Sequence, residues 1–163
     1  MTGTRSIGGG VHGLIAVAVS AFLLSTMLVA VVPVSSALAA DPPGCVRGWP
    51  GIRADSATRF STIPYRQTKS VVVTFYNRDS AECDPTTYAI SMFGEHGSAY
   101  VIGKFAASSV TVAPGASKAL KVNLSTTAKA KVGSAVWLSA TIKNKTTQVV
   151  SGMSGILRVT VVP

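Results

Sequence analysis

Ser70-Val71-Val72-Val73-Thr74-Phe75-Tyr76-Asn77 is the stretch from which the fold class can be read. On a two-residue repeat, Val71, Val73 and Phe75 share one face and Val72, Thr74 and Tyr76 the other; β-branched and aromatic side chains suit such a pleated surface. A polar loop follows from Asn77 to Pro85. Beyond it Tyr88, Ile90 and Met92 alternate with Ala89 and Ser91, and a glycine-bounded loop holding Glu95 and His96 leads into Ala99 to Phe105. Nothing here keeps the 3.6-residue spacing of a helix for long, so the pattern is that of an all-β domain.

Further along, Ser109 to Val112 reads as a short strand that stops at Pro114-Gly115. Proline fixes φ at the first central position of a turn and glycine accepts positive φ at the second, which is the signature of a type II turn. Leu120, Val122 and Leu124 then alternate with Lys121 and Asn123, as in a sheet wetted on one face. Val136, Leu138, Ala140 and Ile142 alternate with Trp137, Ser139, Thr141 and Lys143; Leu157, Val159 and Val161 alternate with Arg158 and Thr160. With an N-terminal strand near Cys45 to Arg53 the chain holds seven or eight strands, the count of an antiparallel β-sandwich. No repeated unit or change of composition divides it, so residues 41–163 are expected to be one domain.

The first 40 residues have a different character. Arg5 is their only charged side chain, Leu14 to Val32 is an apolar run, and Pro33 and Ala37-Leu38-Ala39 follow. This is the order of a signal peptide over residues 1–40, cleaved after Ala39 or Ala40. Left uncleaved, the nineteen-residue run would rise about 28 Å as a helix, enough to anchor the chain in a bilayer.

The chain of 163 residues carries 15 Lys and Arg against 6 Asp and Glu, a net charge of +9, and only 13% of its residues are charged. All six acids, Asp41, Asp55, Asp79, Glu82, Asp84 and Glu95, precede His96, whereas Lys104, Lys118, Lys121, Lys129, Lys131, Lys143, Lys145 and Arg158 follow it. Spaced lysines keep an exported β-protein soluble and blunt its edge strands, and the same excess attracts an anionic polymer or surface. The two cysteines, Cys45 and Cys83, fall in the exported part, where a single disulfide is the natural pairing. They cannot build a zinc site with one further histidine, so no metal is expected.

Several of these features occur in an order that resembles a known family. Cys45-x-Arg47 with Pro50, the Val71 to Tyr76 strand running into Asn77-x-Asp79-Ser80-x-x-Cys83, Thr87-Tyr88-x-Ile90-Ser91, Val110 to Gly115 with Ser117, and Leu120-x-Val122-x-Leu124 before Gly133 are similar to the alpha-galactosidase-associated NEW domain. The resemblance implies an immunoglobulin-like β-sandwich of bacterial secreted proteins that accompanies glycosidases, peptidases and surface proteins without performing chemistry itself. Where members often carry Gly-Trp after the third strand, this chain has His96-Gly97-Ser98-Ala99-Tyr100, and these 163 residues are not expected to include a catalytic domain of the kind to which members are usually joined.

Chemistry-bearing patterns are few. His96 is the only histidine after the apolar run, and Gly152-Met153-Ser154-Gly155 has its glycines at the wrong spacing for a nucleophile elbow. Asp79, Glu82 and Asp84 crowd one loop, but turn and capping chemistry accounts for them better than calcium. Neither a catalytic set nor a cofactor is expected. Trp137 stands apart, because alternation turns it out of the core beside Ser139, Thr141 and Lys143. Either it is a flat platform for a sugar or partner side chain, or a bulge interrupts the strand parity, or a loop such as Thr146 to Gly152 covers the ring. Trp49, beside Pro50, is expected to pack around Cys45.

The expectation is a secreted, non-catalytic module whose candidate binding residues are Trp137, Lys143 and Arg158, brought onto one outer face by the last two strands. An aromatic plane ringed by cations suits a surface polysaccharide, an acidic extracellular protein or another anionic polymer; without an arginine run, no specific nucleic acid is expected. The alternative is a structural or assembly module displayed from the membrane by the retained N-terminal segment, the one case in which a membrane is a partner.

Overall fold

A computed structural model describes residues 40–95 and 99–163. The apolar N-terminal segment, the Ala37-Leu38-Ala39 pattern at which cleavage after Ala39 or Ala40 is expected, and His96 lie outside the described residues.

Among the described residues there are nine strands and one short helix: β1 (Gly51–Arg53), α1 (Ser56–Arg59), β2 (Phe60–Pro64), β3 (Thr68–Tyr76), β4 (Thr86–Gly94), β5 (Val101–Phe105), β6 (Ser109–Val112), β7 (Ser117–Thr126), β8 (Ala135–Asn144) and β9 (Val150–Val162). One sheet has the order β1-β3-β7-β5 and the other β2-β9-β8-β4-β6. Val73, Phe75, Val122 and Leu124 of the first sheet and Tyr88, Leu138, Ile142 and Leu157 of the second are almost fully buried, so the core lies between the two inner faces. Phe75 and Tyr88 meet across it with ring centroids 4.9 Å apart.

Two pairs of these segments are single strands that change sheets. After β1 pairs antiparallel with β3, Asp55 caps α1 by accepting from the Thr58 N–H at 2.6 Å, and the chain crosses to run parallel to β9 as β2. Likewise β5 pairs with β7, and within three residues the backbone moves over: Ala106 N–H donates to Lys121 O at 2.9 Å, while Ser108 O accepts from Ile90 N–H at 2.9 Å as β6 joins β4. With each switched strand taken once, the seven strands A to G are β1/β2, β3, β4, β5/β6, β7, β8 and β9. Their arrangement, A-B-E-D facing A-G-F-C-D, is that of an immunoglobulin-like β-sandwich.

The count of seven or eight strands thus holds for strands and falls short for segments. β2 went unread because Phe60-Ser61-Thr62-Ile63-Pro64 offers one buried apolar side chain, Ile63, and ends in a proline tolerated at an edge. The N-terminal strand is shorter than Cys45 to Arg53. Residues 45–50 are held instead by the Cys45–Cys83 disulfide and by the buried Asp79, which accepts from Gly48 N–H at 3.0 Å and from Arg47 Nη1 at 2.7 Å. A side chain at Gly48 would collide with the Arg78 carbonyl, 2.1 Å from where a Cβ would stand, so the segment lies flat against the end of β3. Trp49 is turned to solvent as a result, 68% exposed, rather than packed around Cys45 as expected.

Candidate functional site

The outer face of the five-stranded sheet carries the residues singled out above. Along β8 Val136, Leu138, Ala140 and Ile142 are buried as the sequence predicts, Trp137 is half-buried and Lys143 exposed; Ser139, expected outward beside Trp137, is instead buried under Glu95 and Gly155, to which its hydroxyl bonds. Register places Arg158 of β9 opposite Trp137 on one side and opposite Phe60 of β2 on the other, so Phe60, Arg158 and Trp137 form a row across three strands. Lys143 is not brought to that row. It lies six residues further along β8, roughly 20 Å away at the usual strand rise, opposite Ala89 and Val150.

Trp137 is neither a bare platform nor covered by the loop after β8. The strand parity is unbroken in β8; the irregularity is in its partner, where Leu138 and Ala140 face Leu157 and Met153, four residues apart on β9. The extra residues include Gly155, whose φ is +61° and whose Cα hydrogen side faces the indole; a Cβ there would stand 3.6 Å from Trp137 Cε3. Glu95 fixes this bulge. Its Oε1 accepts from Gly155 N–H at 3.2 Å and from the Ser139 hydroxyl, while its own N–H donates to Trp137 O at 2.8 Å.

The other side of the indole is framed by the strand the sequence did not reveal. Phe60, 57% exposed, meets Trp137 edge to face with centroids 6.2 Å apart and a 70° interplanar angle. The last residue of α1, Arg59, sets its guanidinium carbon 5.8 Å from the Phe60 centroid and 5.9 Å from that of Trp137. Each such cation–π contact at an exposed site contributes about 0.5–1 kcal/mol. Asp55 holds α1 in place; its hydrogen bonds from Thr58 keep its carboxyl below the usual carboxylate range. Phe60, Arg59, Glu95 and Gly155 were missed because each reaches Trp137 from a distant part of the chain; the glycines flanking Met153-Ser154 were the one visible signal.

Two hollows open here. One of about 250 Å³ is lined by Arg59, Glu95, Trp137, Ser154 and Gly155. The other, about 660 Å³, shares Arg59, Ser154 and Gly155 and extends past Arg53 and Ser56 to Tyr76 on β3. Together they make one groove around the edge where the chain changes sheets. Among the described residues both ion pairs belong to Arg47, with Asp41 and Asp79. Arg53, Arg59 and Arg158 are exposed and have no carboxylate partner. Asp79 is turned into the interior, and no three potential metal ligands gather among the described residues.

No family model matches the chain, and no curated protein matches it. Solved structures similar to it include a FixG-related protein from Vibrio parahaemolyticus, 10% identical, with a TM-score of 0.45 over 69% of this chain and 94% of that one. The periplasmic chaperone SfaE is 15% identical with a TM-score of 0.46, covering 71% of this chain and 57% of its own. The E. coli chaperone DraB is 12% identical with a TM-score of 0.46, covering 71% and 55%. At these identities and scores they carry no argument about what this chain binds.

Proposed function

We propose that the chain is an exported, non-catalytic immunoglobulin-like module that binds a surface polysaccharide or an extracellular protein through the Trp137 face. The observation that carries this is the Phe60–Arg59–Trp137 cluster: two aromatic rings joined by an unpaired guanidinium, held rigidly on strands at the mouth of a groove. Phe60 stays open to water beside the half-buried Trp137, which leaves the pair accessible to a partner. The disulfide fits an oxidising, extracytoplasmic compartment. The carboxylates that line the groove have structural work, Asp55 on the Thr58 N–H and Glu95 on the Gly155 N–H. This reading accords with what the resemblance to the NEW domain implies.

The test is retention of the purified protein on isolated cell envelope. Wild type is expected to be retained, and Trp137→Ala and Phe60→Ala to be released with thermal midpoints close to wild type. Absence of wild-type retention favours a structural or assembly role instead.

A further inference from the structure

The groove that runs from Tyr76 to Trp137 has a chemistry more specific than a general contact surface. We infer that it is the seat of an acidic polysaccharide, a sugar chain bearing carboxylate or phosphate groups; this rests on the Trp137 face being a binding surface. Its volume falls among those of small-ligand sites, roughly 300–1,000 Å³, and its length takes it from the outer face of one sheet to the outer face of the other.

Three features point to that ligand. First, aromatic side chains from three strands line it, Tyr76 of β3, Phe60 of β2 and Trp137 of β8. Sugar rings present C–H faces for contacts with such rings. Second, Ser56, Thr58, Thr74 and Ser154 line it as well, and hydroxyls both donate and accept, matching the hydroxyls of a sugar. Third, Arg53 and Arg59 line it with no carboxylate in ion-pair contact; Asp55, which lines it too, turns one oxygen to the Thr58 N–H. An unpaired guanidinium offers a planar fork of donors that fits a carboxylate or a phosphate. An acidic polypeptide would satisfy the arginines and hydrogen-bond the hydroxyls through its amides, but its repeating backbone brings no C–H face to the rings, whereas every unit of a glycan brings both.

The experiment measures binding of the purified full chain to four immobilised polymers: polygalacturonate, a phosphomannan, neutral dextran and polyglutamate. Binding to polygalacturonate, phosphomannan or both is expected to be at least about tenfold tighter, about 1.4 kcal/mol, than to dextran or polyglutamate. Which of the two acidic glycans binds identifies the charged group. The Arg53→Gln/Arg59→Gln double variant should lose about tenfold or more in affinity, whereas Lys143→Gln/Lys145→Gln, with the same change in charge at the far end of β8, should stay within about twofold; both should remain cooperatively folded, the arginine variant with a somewhat lower midpoint from the lost cation–π contacts. Equal losses in the two double variants would overturn the inference in favour of diffuse charge. Polyglutamate binding as tightly as the acidic glycans would replace it with an acidic protein partner. Dextran bound as tightly, and released by Trp137→Ala, would refute the acidic ligand while leaving the Trp137 reading intact. If none of the four binds, the inference fails, and retention on cell envelope still judges the Trp137 face separately.

Discussion

Gly155 sits at φ +61° with its hydrogen side toward the indole of Trp137. The left-handed backbone disfavours any L side chain by about 1–2 kcal/mol, while a methyl group would only touch the ring at ordinary contact distance. Gly155→Ala is therefore expected to lower stability by about 1–2 kcal/mol in urea unfolding and to disturb the near-ultraviolet dichroism of Trp137; an unchanged unfolding midpoint would contradict the assigned bulge. The sequence made the outward direction of Trp137 legible, because the parity of Val136 to Ile142 survives in the structure. It hid how far the ring is framed, since Gly155, Arg59 and Phe60 come from β9, α1 and β2. For Trp49 the inference from proximity to Cys45 failed, because the close approach of Gly48 to Arg78 decides the direction of the segment.

Among the elements, β3, β4 and β6 are tied by polar groups as well as by packing. Tyr88 on β4 donates to Asn77 Oδ1 at 2.9 Å and approaches Asp79 Oδ2 at 3.3 Å, while Asn77 Nδ2 donates to Val112 O at 3.1 Å. The Asn77-x-Asp79 pair was visible only as the approach to Cys83; its work as a buried junction depends on β4 and the Cys45 segment arriving beside it. Burial, and then the negative charge of Asp79, push the Tyr88 phenol up to about 12. The folded state thus favours the neutral phenol. Its contribution is complete below the ordinary phenol range near 10 and is lost as pH rises from there through about 12. Unfolding measured from pH 8 to 12 should show this loss in wild type and a shallower one in Tyr88→Phe, which costs about 1–2 kcal/mol at neutral pH through the missing hydrogen bonds. Parallel curves for the two proteins would contradict the assignment. β2 was the least legible element, because a short edge run with one buried apolar side chain, Ile63, leaves no periodicity to detect; β6, also an edge, was legible at its observed bounds because Pro114-Gly115 marks where it stops.

At the scale of the molecule, the sandwich was legible from alternation alone, but its two sheet-switching strands were not, because a change of sheet depends on which neighbour supplies the next hydrogen bond. The same switch, through Asp55 and α1, creates the groove and sets Arg59 and Phe60 beside Trp137. The two tryptophans provide an internal comparison, since Trp49 is far more exposed yet lies on a segment pinned by Asp79 and the disulfide, away from the lining of the groove. Titrating nitrogen-15-labelled protein with polysaccharide solubilised from the cell envelope, and following the two indole N–H signals, tests the binding face most directly. The Trp137 signal is predicted to shift progressively to saturation while that of Trp49 stays in place; a moving Trp49 beside a stationary Trp137 would contradict the account.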